Sequence, residues 1–444
     1  MVRRSAAVIA LILFAGACTA SSEPGGEVIQ VTHPEPVPIP TATTPPSAPP
    51  STTPPAPTTT AGPLPLTGTV MAFRGPPLSG ATVVTESGVA RTGPEGTFTV
   101  SGIPRGRVAI SKPGWQTVTT TWDGTGRISV MLAPRVVRAL RVAKNVAGDA
   151  ERFDELLNLA AGSVVNALIF DTKDESGRVL YQTRSATARR IGAVESWYDP
   201  ASALASARRH GLYAITRIVT FEDVVWTDAE PAGVLAGTWM DPADPRNWVY
   251  PLQLAVEACE LGFDEVQFDY VRYPTGRASR SARSTSTTET ERTAAIAAFL
   301  TEARTTLHSL GCAVSADVFA IIMATPDDQG IGQTPETVGP VVDAVSPMIY
   351  PGHYSDGWMG FEDPNDHPGP VVARALDDGA PRVALPTVVR PWLQAFGYTA
   401  KQVLASIAEA EARGTGWMLW NATGSYDAGW LPRPTLPAPR PPAV

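Results

Sequence analysis

Residues 265–274 read EVQFDYVRYP, and the fold turns on how this run is placed. Val266 and Phe268 alternate as the apolar positions of a buried strand do, yet Asp269 lies within the run and Tyr270, Arg272 and Tyr273 follow at once. A carboxylate deep among apolar side chains is costly unless it is paired or protonated. The run therefore reads as a strand whose exit carries the polar groups.

Working outward, seven further runs have the same strand character: ALRVAKN (139–145), VNALIFDTK (165–173), LYAITRIVTF (212–221), AVSADVFA (313–320), AVSPMIY (344–350), RVALPTVV (382–389) and GWMLWNA (416–422). Helical stretches fall between them. DAERFDELLNLAAG opens on Asp149, DPASALASARRHG opens on Asp199-Pro200 and closes on Gly211, and TAKQVLASIAEAEARG runs from Thr399 to Gly414. Eight strands alternating with helices over roughly 290 residues predict an α/β fold of the (β/α)8 TIM-barrel type, not an open doubly wound sheet. No glycine-rich phosphate loop follows the first strand, which argues against nucleotide binding.

In such a barrel the chemistry gathers at the C-terminal ends of the strands. Strand two ends FDTKDESG and brings Asp171 and Lys173 there; strand three brings Arg217 and then Glu222. Strand four brings Asp269, Arg272 and Tyr273, and strand five places Asp317 at a similar height. Tyr350, His353 and Tyr354 follow strand six, Arg390 and Trp392 follow strand seven, and strand eight ends Trp420-Asn421, with Trp417 read as core. Two carboxylates on neighbouring strand ends are what glycosidic cleavage uses, one to protonate the leaving oxygen and one to attack or activate water. The same Asp269 could instead form a structural bridge with Arg272 or Arg217. Polar groups and flat aromatics on one face suit a polyhydroxylated ring with an apolar C–H side. The long polar loop TGRASRSARSTSTTETER after strand four reads either as a lid or anionic-glycan contact, or as a surface insertion.

The rest of the chain frames this barrel. With 444 residues and net charge −8, there is room for more than one core and no basic signature of a nucleic-acid partner. Residues 1–17 carry two arginines and a short apolar run, which reads as an export signal. Ala15-Gly16-Ala17-Cys18 fits both an ordinary cleavage site and a bacterial lipobox with Ala15 in place of the usual leucine. Export is thus expected, either to a surface lipoprotein held at Cys18 or to a secreted form. Much of the chain's 43 prolines sit in the Pro/Thr/Ser-rich linker 18–65, with a second proline-rich stretch at 431–444. If Cys18 is lipidated, Cys259 and Cys312 remain as a pair, either bonded to each other near the bottom face or free and buried. Residues 66–134 show short alternating runs separated by PEG, PRG, KPG and DGTG, the spacing of a small β-sandwich. Trp115 and Trp122 in it suit a core or inter-domain role, or a sugar platform.

Two resemblances sharpen these readings. The order GTV, LSGATVV, TGPEGTFTVSGIPRG and KPGW resembles the carboxypeptidase regulatory-like domain, which implies a spacer or adhesion module. NALIFDTKDESG, GFDEVQFDYVRYP, SADVF, SPMIYPGHY and WMLWNA resemble a glycoside hydrolase barrel family long catalogued as a domain of unknown function, over residues 137–430. That family is related at fold level to the α-amylase-like group. The resemblance implies Asp269 as nucleophile or charge stabiliser and Asp317 as acid/base, with no cofactor and a polysaccharide or oligosaccharide as partner. Two departures stand out: strand five carries Asp where amylase-type barrels have Glu, and Gln267 stands where they have arginine. Glu222 is therefore kept as a reserve acid.

Two rival readings compete with glycoside cleavage. A metal-dependent hydrolase is disfavoured because the five histidines form no close ligand motif, His353, His367 and Asp363 being the best grouping. A non-catalytic carbohydrate-binding or adhesion protein would suit the sandwich and spacer, but binding alone does not require Asp269 and Asp317 together.

Overall fold

The computed structural model describes residues 64–102, 105–282, 286 and 288–434. The expected leader, Cys18, the linker up to Pro63 and the tail from Thr435 lie outside the described residues.

Residues 66–132 form two sheets around one apolar core. Leu66–Ala72 is the centre of a three-stranded sheet, antiparallel to Thr97–Val100 and parallel to Arg127–Leu132. Gly88–Arg91, Thr82–Thr85, Gly106–Ser111 and Val118–Trp122 make the second sheet, wholly antiparallel. Alternation along each strand turns Leu66, Val70, Phe98, Ile110 and Leu132 inward. Trp122 is buried with them and its Nε1 donates to the Thr125 carbonyl at 2.9 Å. Trp115 is buried too and bridges through its backbone to Pro134. Neither indole is a surface platform.

The barrel begins at Arg138. Its strands are β1 (Arg138–Val142), β2 (Ala167–Lys173), β3 (Tyr213–Val219), β4 (Glu265–Asp269), β5 (Ala313–Phe319), β6 (Ala344–Ile349), β7 (Val388–Val389 with Trp392–Gln394) and β8 (Trp417–Trp420). All pair in parallel with their neighbours, β8 returns to β1, and the sheet closes. This is the expected TIM barrel. Its helices start where side chains can satisfy the free N–H groups: Asp149 accepts from the amides of Glu151 and Arg152, and Asp199 from that of Ser202.

Period-two alternation gives each strand an outer and a lumen face. Leu140, Leu168, Phe170, Ile218, Phe268, Val314 and Val318 pack outward against Phe153, Leu204, Leu254 and Phe299 of the helical layer. Ala139, Ala167, Ile169, Tyr213, Ile215 and Met418 fill the lumen as a separate cluster.

One strand lies further along than expected. RVALP is not part of β7; the pairing starts at Val388, breaks at Arg390-Pro391 and resumes at Trp392. Pro386 and Pro391 carry no N–H, so the ladder can only form around them. Cys259, in the helix before β4, and Cys312, immediately before β5, are joined by a disulfide with their Cα atoms 6.0 Å apart.

Candidate active site

Toward the strand C-termini the lumen holds a cluster of charged groups, and Arg217 on β3 organises it. This guanidinium is 1 % exposed. Its Nε and Nη2 donate to Asp269 Oδ2 at 2.9 and 2.6 Å, and its Nη1 to Asp171 Oδ1 at 3.0 Å. Nη2 also reaches Glu175 Oε1. Asp171 takes a second arginine, Arg141 on β1, at 2.5 Å. The Trp420 ring lies 4.3 Å from the Arg141 guanidinium carbon and 4.8 Å from that of Arg217, so both cations rest on one indole. The guanidinium for the β4 aspartate thus arrives from the neighbouring strand, while Gln267 on β4 donates to Ser346.

Asp269 receives one further bond, from the Tyr270 amide to Oδ1 at 2.7 Å. Tyr270 has φ 50°, a left-handed conformation that a bulky aromatic rarely adopts, so backbone strain is stored where the strand leaves the barrel. Asp269 is thus held by donors from Arg217 and from this amide.

Asp317 on β5 is placed differently. Trp392 Nε1 donates to its Oδ1 at 2.8 Å, while its buried Oδ2 has no hydrogen-bond partner. Burial, then the charge of Asp269, push its pKa well above the ordinary carboxylate range, with Arg217 and the Trp392 bond opposing them only in part. Arg217 Nε lies 2.9 Å from Asp269 Oδ2 and 4.0 Å from Asp317 Oδ2, so these two oxygens are within about 7 Å of each other. Two neighbouring carboxyl groups are thus held in unlike settings, one by a guanidinium and one by burial and a single indole N–H.

Two more acids flank them. Glu222 is half-buried and accepts from Thr238 Oγ1 at 3.2 Å; burial raises its pKa, against the charge of Arg272. Glu175 would be raised by burial, but Arg217 and Arg141 overcome that and bring it down to about 2. Glu175 was passed over in the sequence although FDTKDESG contains it. Its position four residues beyond Asp171 gives no strand-face signal, because it lies past the end of β2.

Several expected substrate contacts sit elsewhere. A register shift at the end of β2 turns Lys173 out of the lumen, where it is fully buried in an ion pair with Asp223. Arg272 does not pair with Asp269. It is buried with its guanidinium carbon 4.2 Å from the Phe319 ring centre and 4.5 Å from that of Trp239, donates to the Tyr273 carbonyl, and burial lowers its pKa. Tyr273 is buried and its amide bonds to the Ile331 carbonyl. Trp392 is 1 % exposed and holds Asp317, leaving no open face for a sugar. Arg390 lies in the lumen paired with Glu265. Asn421 closes its own loop, accepting from Thr423 and donating to the Ser425 carbonyl. Tyr350 is buried beside His353, their rings 5.4 Å apart, and partial desolvation lowers the His353 pKa. His367 stacks on Phe361 at 4.5 Å, and no group of three metal-ligating side chains occurs among the described residues.

Residues 139–426 match the family described as "Putative glycosyl hydrolase domain". A hypothetical protein from Ruminiclostridium thermocellum ATCC 27405 is 32% identical with a TM-score of 0.37, over 40% of this chain and 97% of that one. The spore cortex-lytic enzyme SleL of Bacillus megaterium QM B1551 is 10% identical with a TM-score of 0.43, over 66% of this chain and 71% of that one. The alpha-galactosidase TtGalA of Thermus thermophilus is 10% identical with a TM-score of 0.45, over 79% and 78%. No curated protein matches the sequence.

Proposed function

The chain belongs to this glycosyl hydrolase family, and from that premise we propose that it is an exported glycosidase acting on an extracellular or cell-envelope polysaccharide through Asp269 and Asp317. The observation that carries the reading is the unlike treatment of two neighbouring carboxyl groups: Asp269 is clamped by Arg217, while Asp317 is desolvated with a free Oδ2. Asp317 gives its proton to the glycosidic oxygen as the bond from the anomeric carbon to that oxygen breaks. Asp269 attacks the anomeric carbon or shields its positive charge, and water then adds as Asp317 takes a proton back. Retaining enzymes hold their carboxyls about 5–5.5 Å apart and inverting ones about 6.5–9.5 Å; retention is the outcome favoured by the resemblance to the α-amylase-like group. Glu222, at the edge of the group, is the reserve acid. The arginines and short apolar run of residues 1–17, with Cys18, support export as a surface lipoprotein or a secreted protein. The module at 66–134 is read as a spacer or adhesion module of the carboxypeptidase regulatory-like kind, supported by its turn sequences.

The test is reducing-end release from a panel of soluble envelope and environmental polysaccharides by the protein and by Asp269→Asn, with circular dichroism to verify folding. Release by the wild type alone is the expected result. No release from any polymer, with glycan binding equal in both proteins, would replace the enzyme by a carbohydrate-binding protein.

A further inference from the structure

Trp197 is 40% exposed, and its setting differs from that of a stray surface indole. It lies on the segment between β2 and the helix Pro200–Arg209, and its amide donates to the Leu180 carbonyl at 2.8 Å. Tyr198, the next residue, is buried and donates its hydroxyl to the Asp171 carbonyl at 3.2 Å, which ties the segment to the charged layer of the barrel. The indole is fixed as well: its Nε1 donates to Glu195 Oε1 at 2.7 Å. Lys144 Nζ, just past β1, lies 5.1 Å from the ring centre, 3.1 Å from Asp174 Oδ2 and 4.0 Å from Glu195 Oε1. Asp174 precedes Glu175, whose carboxylate sits on Arg217 and so beside Asp269. The adjacent residues Asp174 and Glu175 therefore join the group around Arg217 to the ordered, exposed indole, Glu175 on the Arg217 side and Asp174 on the Lys144 side.

We propose that Trp197, with Lys144 over its ring and Glu195 at its edge, is a distal subsite for a neutral pyranose unit of the glycan chain whose cleavage is assigned to Asp269 and Asp317. The proposal rests on the glycosidase reading for its link to cleavage. A pyranose presents an apolar C–H face that stacks on an indole and hydroxyls that need polar groups at the ring edge. Glu195, with its side chain 43% exposed, supplies an acceptor at that edge, and Lys144, 33% exposed and over the ring, supplies a donor beside it. The Lys144–Asp174 pair and the adjacent Glu195 leave no surplus positive charge to select an anionic sugar. A held indole also gives up little conformational freedom on binding.

The test uses the full chain with Trp197→Ala and Trp197→Phe, the latter keeping a ring. Retention is measured in native gels containing amylose, laminarin, hydroxyethylcellulose, galactomannan or partially deacetylated chitin. KM is measured on the polymer that is cleaved and on an aryl monosaccharide of the same sugar. Trp197→Ala should weaken retention and raise the polymer KM about tenfold, Trp197→Phe should keep most of both, and aryl-glycoside turnover should stay within about twofold. Wild-type retention by none of the polymers, or equal retention of Trp197→Ala, overturns the subsite. Retention that Trp197→Ala loses, with no reducing ends released by the wild type, keeps the subsite and sinks the glycosidase reading instead.

Discussion

Trp392→Phe removes one hydrogen bond from Asp317 and leaves most of the packing in place. The bond from Trp392 Nε1, at 2.8 Å, favours the charged form of this carboxyl. A hydrogen bond to a charged group contributes about 1.5–3 kcal/mol, and one pKa unit corresponds to about 1.4 kcal/mol. Its loss should therefore raise the Asp317 pKa by a further ~1–2 units. If Asp317 is the proton donor, the alkaline limb of the pH profile of kcat/KM moves up by that amount, while the acid limb stays. The stability change has a definite sign. A raised carboxyl pKa adds stability below the unfolded value of about 3.9 that is lost as pH rises through the folded value, so the variant widens that window upward. At neutral pH the smaller ring also leaves a gap, costing less than the ~3–5 kcal/mol of an aromatic-to-alanine change. The assay is a pH series of initial rates beside urea unfolding of both proteins. An alkaline limb that does not move in a folded variant would refute the assignment of Asp317 as acid.

Arg217→Met strands Asp171, Glu175 and Asp269 without their shared cation, and breaking a buried pair costs about 3–5 kcal/mol; a urea midpoint within error of wild type would contradict the clamp. Glu175 has a depressed pKa, so its contribution to stability is present above about 4 and lost as pH falls toward about 2. Glu175→Gln should therefore flatten the acid limb of a stability–pH curve, and an unchanged limb would show that the carboxylate is not held by the arginines. The Cys259–Cys312 bond closes a separation of 53 residues, which the chain-entropy model values at about 4 kcal/mol. Cys312→Ser should lower the urea midpoint accordingly while leaving the pH profile in place.

The architecture was legible because period-two runs at regular intervals have few other solutions. EVQFD and AVSADVF need only strand alternation to send Asp269 and Asp317 to neighbouring strand ends. What the sequence hid was sidedness beyond the last regular pair. Lys173 follows Asp171 by two residues and should share its face, but the shift opposite Arg217 and Ile218 turns it to Asp223. Trp392 read as a platform because a tryptophan after a strand end says nothing about which way its ring falls; the interrupted β7 folds it inward onto Asp317. Arg217 and Arg272 were equal candidates to bridge Asp269, and only the closed sheet, which sets β3 against β4 in register, separates them.

The division of labour between the two carboxyls is open to one direct measurement. Once the polysaccharide panel has identified the sugar, wild type, Asp269→Asn and Asp317→Asn are compared on its 2,4-dinitrophenyl glycoside, whose leaving group needs no proton, and on the natural polymer. Asp317→Asn should release dinitrophenol in its first turnover at close to the wild-type rate yet lose ~10²–10⁴-fold on the polymer, while Asp269→Asn loses both. The reverse pattern, dinitrophenol release kept by Asp269→Asn and lost by Asp317→Asn, would contradict the account.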